Sequence, residues 1–449
     1  MKATVRVPRG LGIVVLLVGV LCVSCGGEPA KTPGSGLSSS VSSPPVASSS
    51  PGVGPLLSLL AGIPEAPISQ AEDFVYFVDY SAMESAYDAV RPADAEEFGD
   101  LSESGQGYKA WWVLFRGIAW SISDFWLPWL EDGPGTVGFS PLEVDRAIHF
   151  GVPPGDGLML EGSFDADAIS AAYETNLGLV PKDFDGRTVW LWGEDPADGL
   201  MTNSSEVVPE NPFGGYLGRR QPMIISGDLL MSSADLGLVL AHADAATGAV
   251  PNLADAPGYR AAVNAVSEDA DLLQAAIAGP IMAAKIAHQP VGGDPQSSTM
   301  PGSTLEVPVE DQRELPAFQL LILGDVLTSD EQIARVGLVY QDVGSAEIAG
   351  VVLLDRLATL PSVSGRPFVE MLTPPDGTGA RYYVRQGSDR AVLVLEFPAP
   401  RATLEQVVAM LDTAGHEGTV TSPGSIYRRL VSMFAQRDTG WLSAAVPTE

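Results

Sequence analysis

The spacing of apolar residues changes period several times along this chain, and each change predicts an element. Phe74 to Tyr80 (FVYFVDY) is aromatic and β-branched and predicts a strand. Ser81-Ala82-Met83-Glu84 has capping-box form and opens a predicted helix over 81–90 that Pro92 ends. Tyr108, Trp111, Trp112, Phe115, Ile118, Ala119 and Ile122 recur at helical spacing, so one face of this segment is densely aromatic until Pro128. Ser140-Pro141-Leu142-Glu143 is a second capping box and predicts a short helix to Ile148. A β-α-β stretch follows: a strand at Leu158–Glu161, a helix from Asp165 to Asn176 with Gly178 as its stop, and a strand over Thr188–Trp192.

Residues 193–221 are long and turn-rich for a connection inside a compact domain. Strand-strand-helix then occurs three times. Met223–Ser226 and Leu229–Ser232 flank Gly227-Asp228, and Leu236, Val239, Leu240 and Ala243 share a helical face. Phe318–Leu323 and Ala334–Tyr340 precede a helix expected from Ser345 to Ala358. Arg381–Arg385 and Ala391–Phe397 precede a helix opened by Thr403-Leu404-Glu405-Gln406. A last helix is expected over 426–436, carrying Arg428 and Arg429. Glu268, Asp269 and Asp271 read as a solvated helix start, and Asp183-Phe184-Asp185-Gly186 as a turn before a strand. The pattern predicts an α+β protein, with helices laid on one face of mostly antiparallel sheets. Residues 289–314, polar and rich in Pro, Gly and Ser, divide it into expected lobes at 67–288 and 315–449.

The N-terminus changes the picture. Met1 to Gly10 holds Lys2, Arg6 and Arg9 and no acid, and Leu11 to Ser24 is almost wholly apolar but too short to span a bilayer. Val23 and Ser24 precede Cys25, and Gly26 and Gly27 follow it. This segment resembles the lipobox signal of bacterial lipoproteins, departing from it where Cys22 replaces the usual leucine. The resemblance implies that 1–24 is removed and that Cys25 carries a diacylglycerol holding the chain to a membrane from the extracytoplasmic side. Residues 25–66, rich in Ser, Pro and Gly, read as the tether, with a reach of roughly 30 Å.

Both cysteines lie in this N-terminal segment, so the folded part is thiol-free. The formal charge of −31 becomes −34 once three signal cations are removed, which argues against nucleic acid and against adhesion to anionic lipid. His149, His242, His288 and His416 form no zinc-ligand spacing, and no nucleophile elbow or phosphate loop is present, so no metal or cofactor is expected. Trp111, Trp112, Phe115, Trp126 and Trp129 are the candidate surface for a ligand or partner, with a buried central helix as the competing reading. These features favour a lipid-anchored, non-catalytic envelope protein that binds a small ligand or another envelope protein. An extracytoplasmic hydrolase using a carboxylate pair is one alternative, and an accessory subunit of a transporter is another.

Overall fold

The computed structural model describes residues 54–65, 74–94, 96–97, 105–116, 133–151, 156–192, 222–233, 235–287, 314–362, 364–373, 379–413, 425–435 and 438–443. The elements begin with α1 (Pro55–Leu60), β1 (Phe74–Asp79), α2 (Tyr80–Tyr87), α3 (Gln106–Arg116) and α4 (Gly133–Val137). Next come β2 (Val144–Phe150), β3 (Gly157–Gly162), α5 (Ala166–Ala172), β4 (Leu179–Phe184), β5 (Arg187–Trp192), β6 (Met223–Ser226) and β7 (Leu229–Ser233). Then follow α6 (Leu236–Ala246), α7 (Pro257–Ser267), β8 (Asp271–Ala278), α8 (Pro280–Ala287), β9 (Leu320–Leu327) and β10 (Glu331–Tyr340). The chain closes with α9 (Val343–Thr359), α10 (Phe368–Leu372), β11 (Arg381–Gln386), β12 (Ala391–Pro400), α11 (Leu404–Thr413) and α12 (Ser425–Ala435).

Among the described residues twelve strands join one antiparallel sheet in the order β11-β12-β10-β9-β8-β1-β2-β3-β7-β6-β5-β4. The protein is therefore α+β. Helices cover both faces rather than one. On one face lie α1, α6 and α7, over Val75, Phe77, Ile148, Ala275, Ile277, Ile322 and Val394. On the other lie α2, α3, α5, α8, α9, α11 and α12, over Val78, Ala147, Leu160, Leu321, Val336 and Leu393. Burial from both sides is why β9, β10 and β12 are nearly continuous apolar runs with no polar alternation.

The strands flanking 289–314 are neighbours in this sheet: β8 pairs with β9 from Asp271↔Leu327 to Ala278↔Leu321. The sheet thus runs through the boundary expected between two lobes. Glycines let α7 lie close to it. A Cβ on Gly337 would meet Ile322 at 2.7 Å and Val266 of α7 at 3.0 Å. At the N-terminal side, Leu56, Leu57, Leu59, Leu60 and Ile63 are buried, and Leu253 N–H donates to the Ile63 carbonyl. The packed structure thus includes 54–65, inside the stretch read as tether.

Three local expectations are corrected. The helix expected from Ser140 to Ile148 is a single 3-10 turn (Pro141–Glu143) followed by β2, because Val144, Ala147, Ile148 and Phe150 bury against two neighbouring strands. Glu268, Asp269 and Asp271 form no helix start: Asp269 has φ 58° and turns the chain from α7 into β8. The caps of α2 and α9 are Asp79 and Asp342, two and three residues ahead of the serines expected there. The box at Thr403 and Gln406 is as expected, with reciprocal bonds of 2.8 and 3.3 Å.

Candidate functional site

Buried polar residues interrupt three of the most apolar strands: Gln274 in β8, Asp325 in β9 and Gln332 in β10. Register puts Gln274 opposite Asp325 and Gln332 diagonal to it, all on the face beneath α2 and α12. The Asp325 carboxylate is 2 % exposed and accepts Gln274 Nε2 at 2.9 Å and Gln332 Nε2 at 2.8 Å, one amide on each oxygen. Gln332 Oε1 accepts the Tyr87 hydroxyl at 2.7 Å. Burial raises the Asp325 pKa above the usual carboxylate range, while the two amides and the charge of Arg428 on α12 oppose that rise. Burial likewise lowers the pKa of Arg428, countered by Asp325 and Tyr87.

This cluster is the strongest candidate site in the described fold, and its chemistry is inward-looking. Both Asp325 oxygens are held by the fold's own amides. Two more buried carboxylates are engaged in the same way. Asp79 caps the Ala82 N–H and pairs with Arg146 at 2.8 Å. Glu396 takes Arg335 at 2.9 Å and Arg381 at 2.6 Å. His149 and Asp156 lie 3.6 Å apart, but the nearby Ser233 hydroxyl donates to the Asp156 backbone carbonyl, so the three form no nucleophilic relay. Among the described residues no group of three His, Cys, Asp or Glu side chains is placed to hold a metal ion.

The sequence-derived candidates are scattered. Trp111 is 3 % exposed, packs in the core with Met83, Tyr87 and Val407, and donates from Nε1 to Glu84 at 2.8 Å. Trp112 and Phe115 lie in α3, where the helix backbone alone is described, and Trp126, Trp129 and Cys25 fall outside the described residues. The loop 193–221 falls outside them too, as does the linker apart from Glu314. The Asp325 cluster went unread in the sequence because its members are far apart and glutamine carries no catalytic signature. The available signal was a polar residue at an inward-facing position in each of these apolar strands.

No family model matches the chain, and no curated protein matches it. Among solved structures, crystal form III of TP0453 overlaps with a TM-score of 0.28 at 10 % identity, covering 79 % of this chain and 97 % of that one. Crystal form I of TP0453 gives 0.29 at 10 % identity, covering 81 % and 98 %. At these scores the overlap assigns neither fold nor function. Among the described residues no helix is long and apolar enough to cross a membrane.

Proposed function

We propose that this is an exported protein of the cell envelope, anchored by a diacylglycerol on Cys25 and working by binding rather than catalysis. The observation that carries the reading is the sequence Leu21-Cys22-Val23-Ser24-Cys25-Gly26-Gly27 behind a basic, then apolar, N-terminus. A Ser/Pro/Gly-rich stretch after it gives the anchor length, and the acidity of the chain keeps the domain off anionic headgroups. The inward commitment of Asp79, Asp325 and Glu396 supports binding over carboxylate catalysis. Its partner is a small ligand or another envelope protein.

The test is lipid labelling in cells. Cys25→Ser should abolish incorporation of a labelled fatty acid and move the protein out of the membrane fraction, with the melting temperature of the folded part unchanged. Continued labelling of Cys25→Ser would remove the anchor from the reading.

A further inference from the structure

The two ends of the sheet are built differently. At one end, β4 turns into β5 through Asp185 and Gly186, with φ of 52° and 83°, a two-residue hairpin. Pairing alternates from Phe184↔Arg187, so Pro181, opposite Trp190, occupies a position whose backbone nitrogen points away from β5. Proline has no N–H, and this edge is blocked to further pairing there.

The other end is β11. Gly387 N–H donates to the Arg390 carbonyl at 2.8 Å, closing the hairpin to β12. From that bonded pair the alternation makes Arg385↔Val392, Tyr383↔Val394 and Arg381↔Glu396 the bonded pairs of the ladder. The N–H and C=O groups of Tyr382, Val384 and Gln386 therefore point outward. The same alternation, counted from the Thr328–Glu331 turn through β10, reaches β12 in the same phase. The strand contains no proline and no bulge, and among the described residues no element pairs with its outer edge.

We propose that β11 is a homodimer interface, pairing antiparallel with β11 of a second copy about a twofold axis at Val384. The edge is self-complementary in that register. Tyr382, Val384 and Gln386 are symmetric about the axis, so each outward N–H meets an outward C=O of the other copy. Val384 meets itself and Tyr382 meets Gln386. On the opposite face Tyr383 meets Arg385, repeating between copies the stacking already present within one, where the Arg385 guanidinium lies 4.9 Å from the Tyr383 ring centre. No like charges stand directly opposite. The diagonal Arg385 pair, ~7–8 Å apart, is neutralised within each copy by Glu268 at 2.7 Å. Arg381 is likewise held by Glu396. Overall negative charge opposes association, and salt screens charges beyond about 8 Å at 0.15 M, so dimerisation should strengthen with ionic strength.

Light scattering on the full chain across a concentration series tests this. Val384→Pro and Gln386→Pro each delete an outward N–H and leave the bonds to β12 intact. Both should weaken self-association by about tenfold or more, with a monomeric fold unchanged by circular dichroism. The sequence holds two cysteines, Cys22 and Cys25, so Val384→Cys in a Cys22→Ser/Cys25→Ser background places a single thiol at the axis. Bonded antiparallel pairs have Cα atoms ~5.5 Å apart, too wide at Cβ for an unstrained disulfide but well within the span of a short bis-maleimide, so this variant should be cross-linked by that reagent while Val180→Cys on β4 should not. If Val384→Pro fails to fold, Gln386→Pro and Val384→Cys carry the test. The proposal is overturned by a wild-type chain that stays monomeric throughout, by Gln386→Pro dimerising like wild type, or by Val384→Cys that resists cross-linking. Monomeric protein with slowly exchanging amides at 382, 384 and 386 would instead assign the edge to another part of the same chain.

Discussion

His242 is a buried group whose charge state bears on the stability of this fold. His242 is 1 % exposed, and its ring packs at a tilt against Phe150, with ring centres 4.5 Å apart. Nδ1 lies 2.7 Å from the Gly62 carbonyl, so it is the protonated, donating nitrogen of a neutral imidazole. Among the described residues Nε2 has no hydrogen-bond partner. Burial lowers the pKa from 6.5 to about 4, only partly offset by the Gly62 bond. The unfolded chain therefore binds this proton first as pH drops. Stability is whole above pH 6.5, declines below it, and stops declining near pH 4, a loss of about 3 kcal/mol from this group. Urea midpoints measured from pH 7 to pH 4 should fall less steeply for His242→Gln than for wild type; equal slopes would show that the ring protonates in the folded state. None of this was legible in the sequence, where His242 is one histidine on an apolar helix. Its burial depends on Gly62 and Phe150, 180 and 92 residues away. Trp111 differs: aromatic spacing identified its helix correctly, but its Nε1 bond to Glu84 required the packing of α3 on α2.

At the scale of elements, buried charges fix how helices meet the sheet. Arg335 of β10 is 6 % exposed and donates to the carbonyls of Val266 and Glu268 at 2.8 and 2.9 Å, at the C-terminal end of α7. A cation there satisfies carbonyls that the helix itself leaves open. The same guanidinium pairs with Glu396 of β12, itself 4 % exposed. Arg335→Met should therefore cost about 3 kcal/mol by leaving Glu396 Oε1 and the two α7 carbonyls without their donor, while Arg381 still holds Oε2. Adding Glu396→Leu should recover much of the loss in chemical denaturation; two additive losses would mean that the residues act independently. Helix and strand types follow local pattern wherever turns are explicit, as at Gly227-Asp228 and at the Thr403–Gln406 box. The pattern fails at 144–150, where VDRAIHF fits a short helix as well as a strand. Pairing on both sides with β1 and β3 decides for the strand.

Across the whole molecule, one sheet takes strands from both sides of 289–314. A chain cut at an engineered protease site within 289–313 should still elute as one species under native conditions and separate in denaturant, because β8 and β9 keep their ladder and both helical layers cover it. Separation under native conditions would indicate independent lobes. The sequence by itself determined the alternation of strands and helices, the hairpin turns, and the acidic, thiol-free composition of the described chain. These are set by neighbours a few residues apart or by simple counts. The joining of twelve strands into one sheet, the helices on both faces, the amides around Asp325 and the proline-free edge at β11 were decided by tertiary structure. Each depends on which distant strands become adjacent, and that is settled by burial on two faces at once, which no local window of the chain contains.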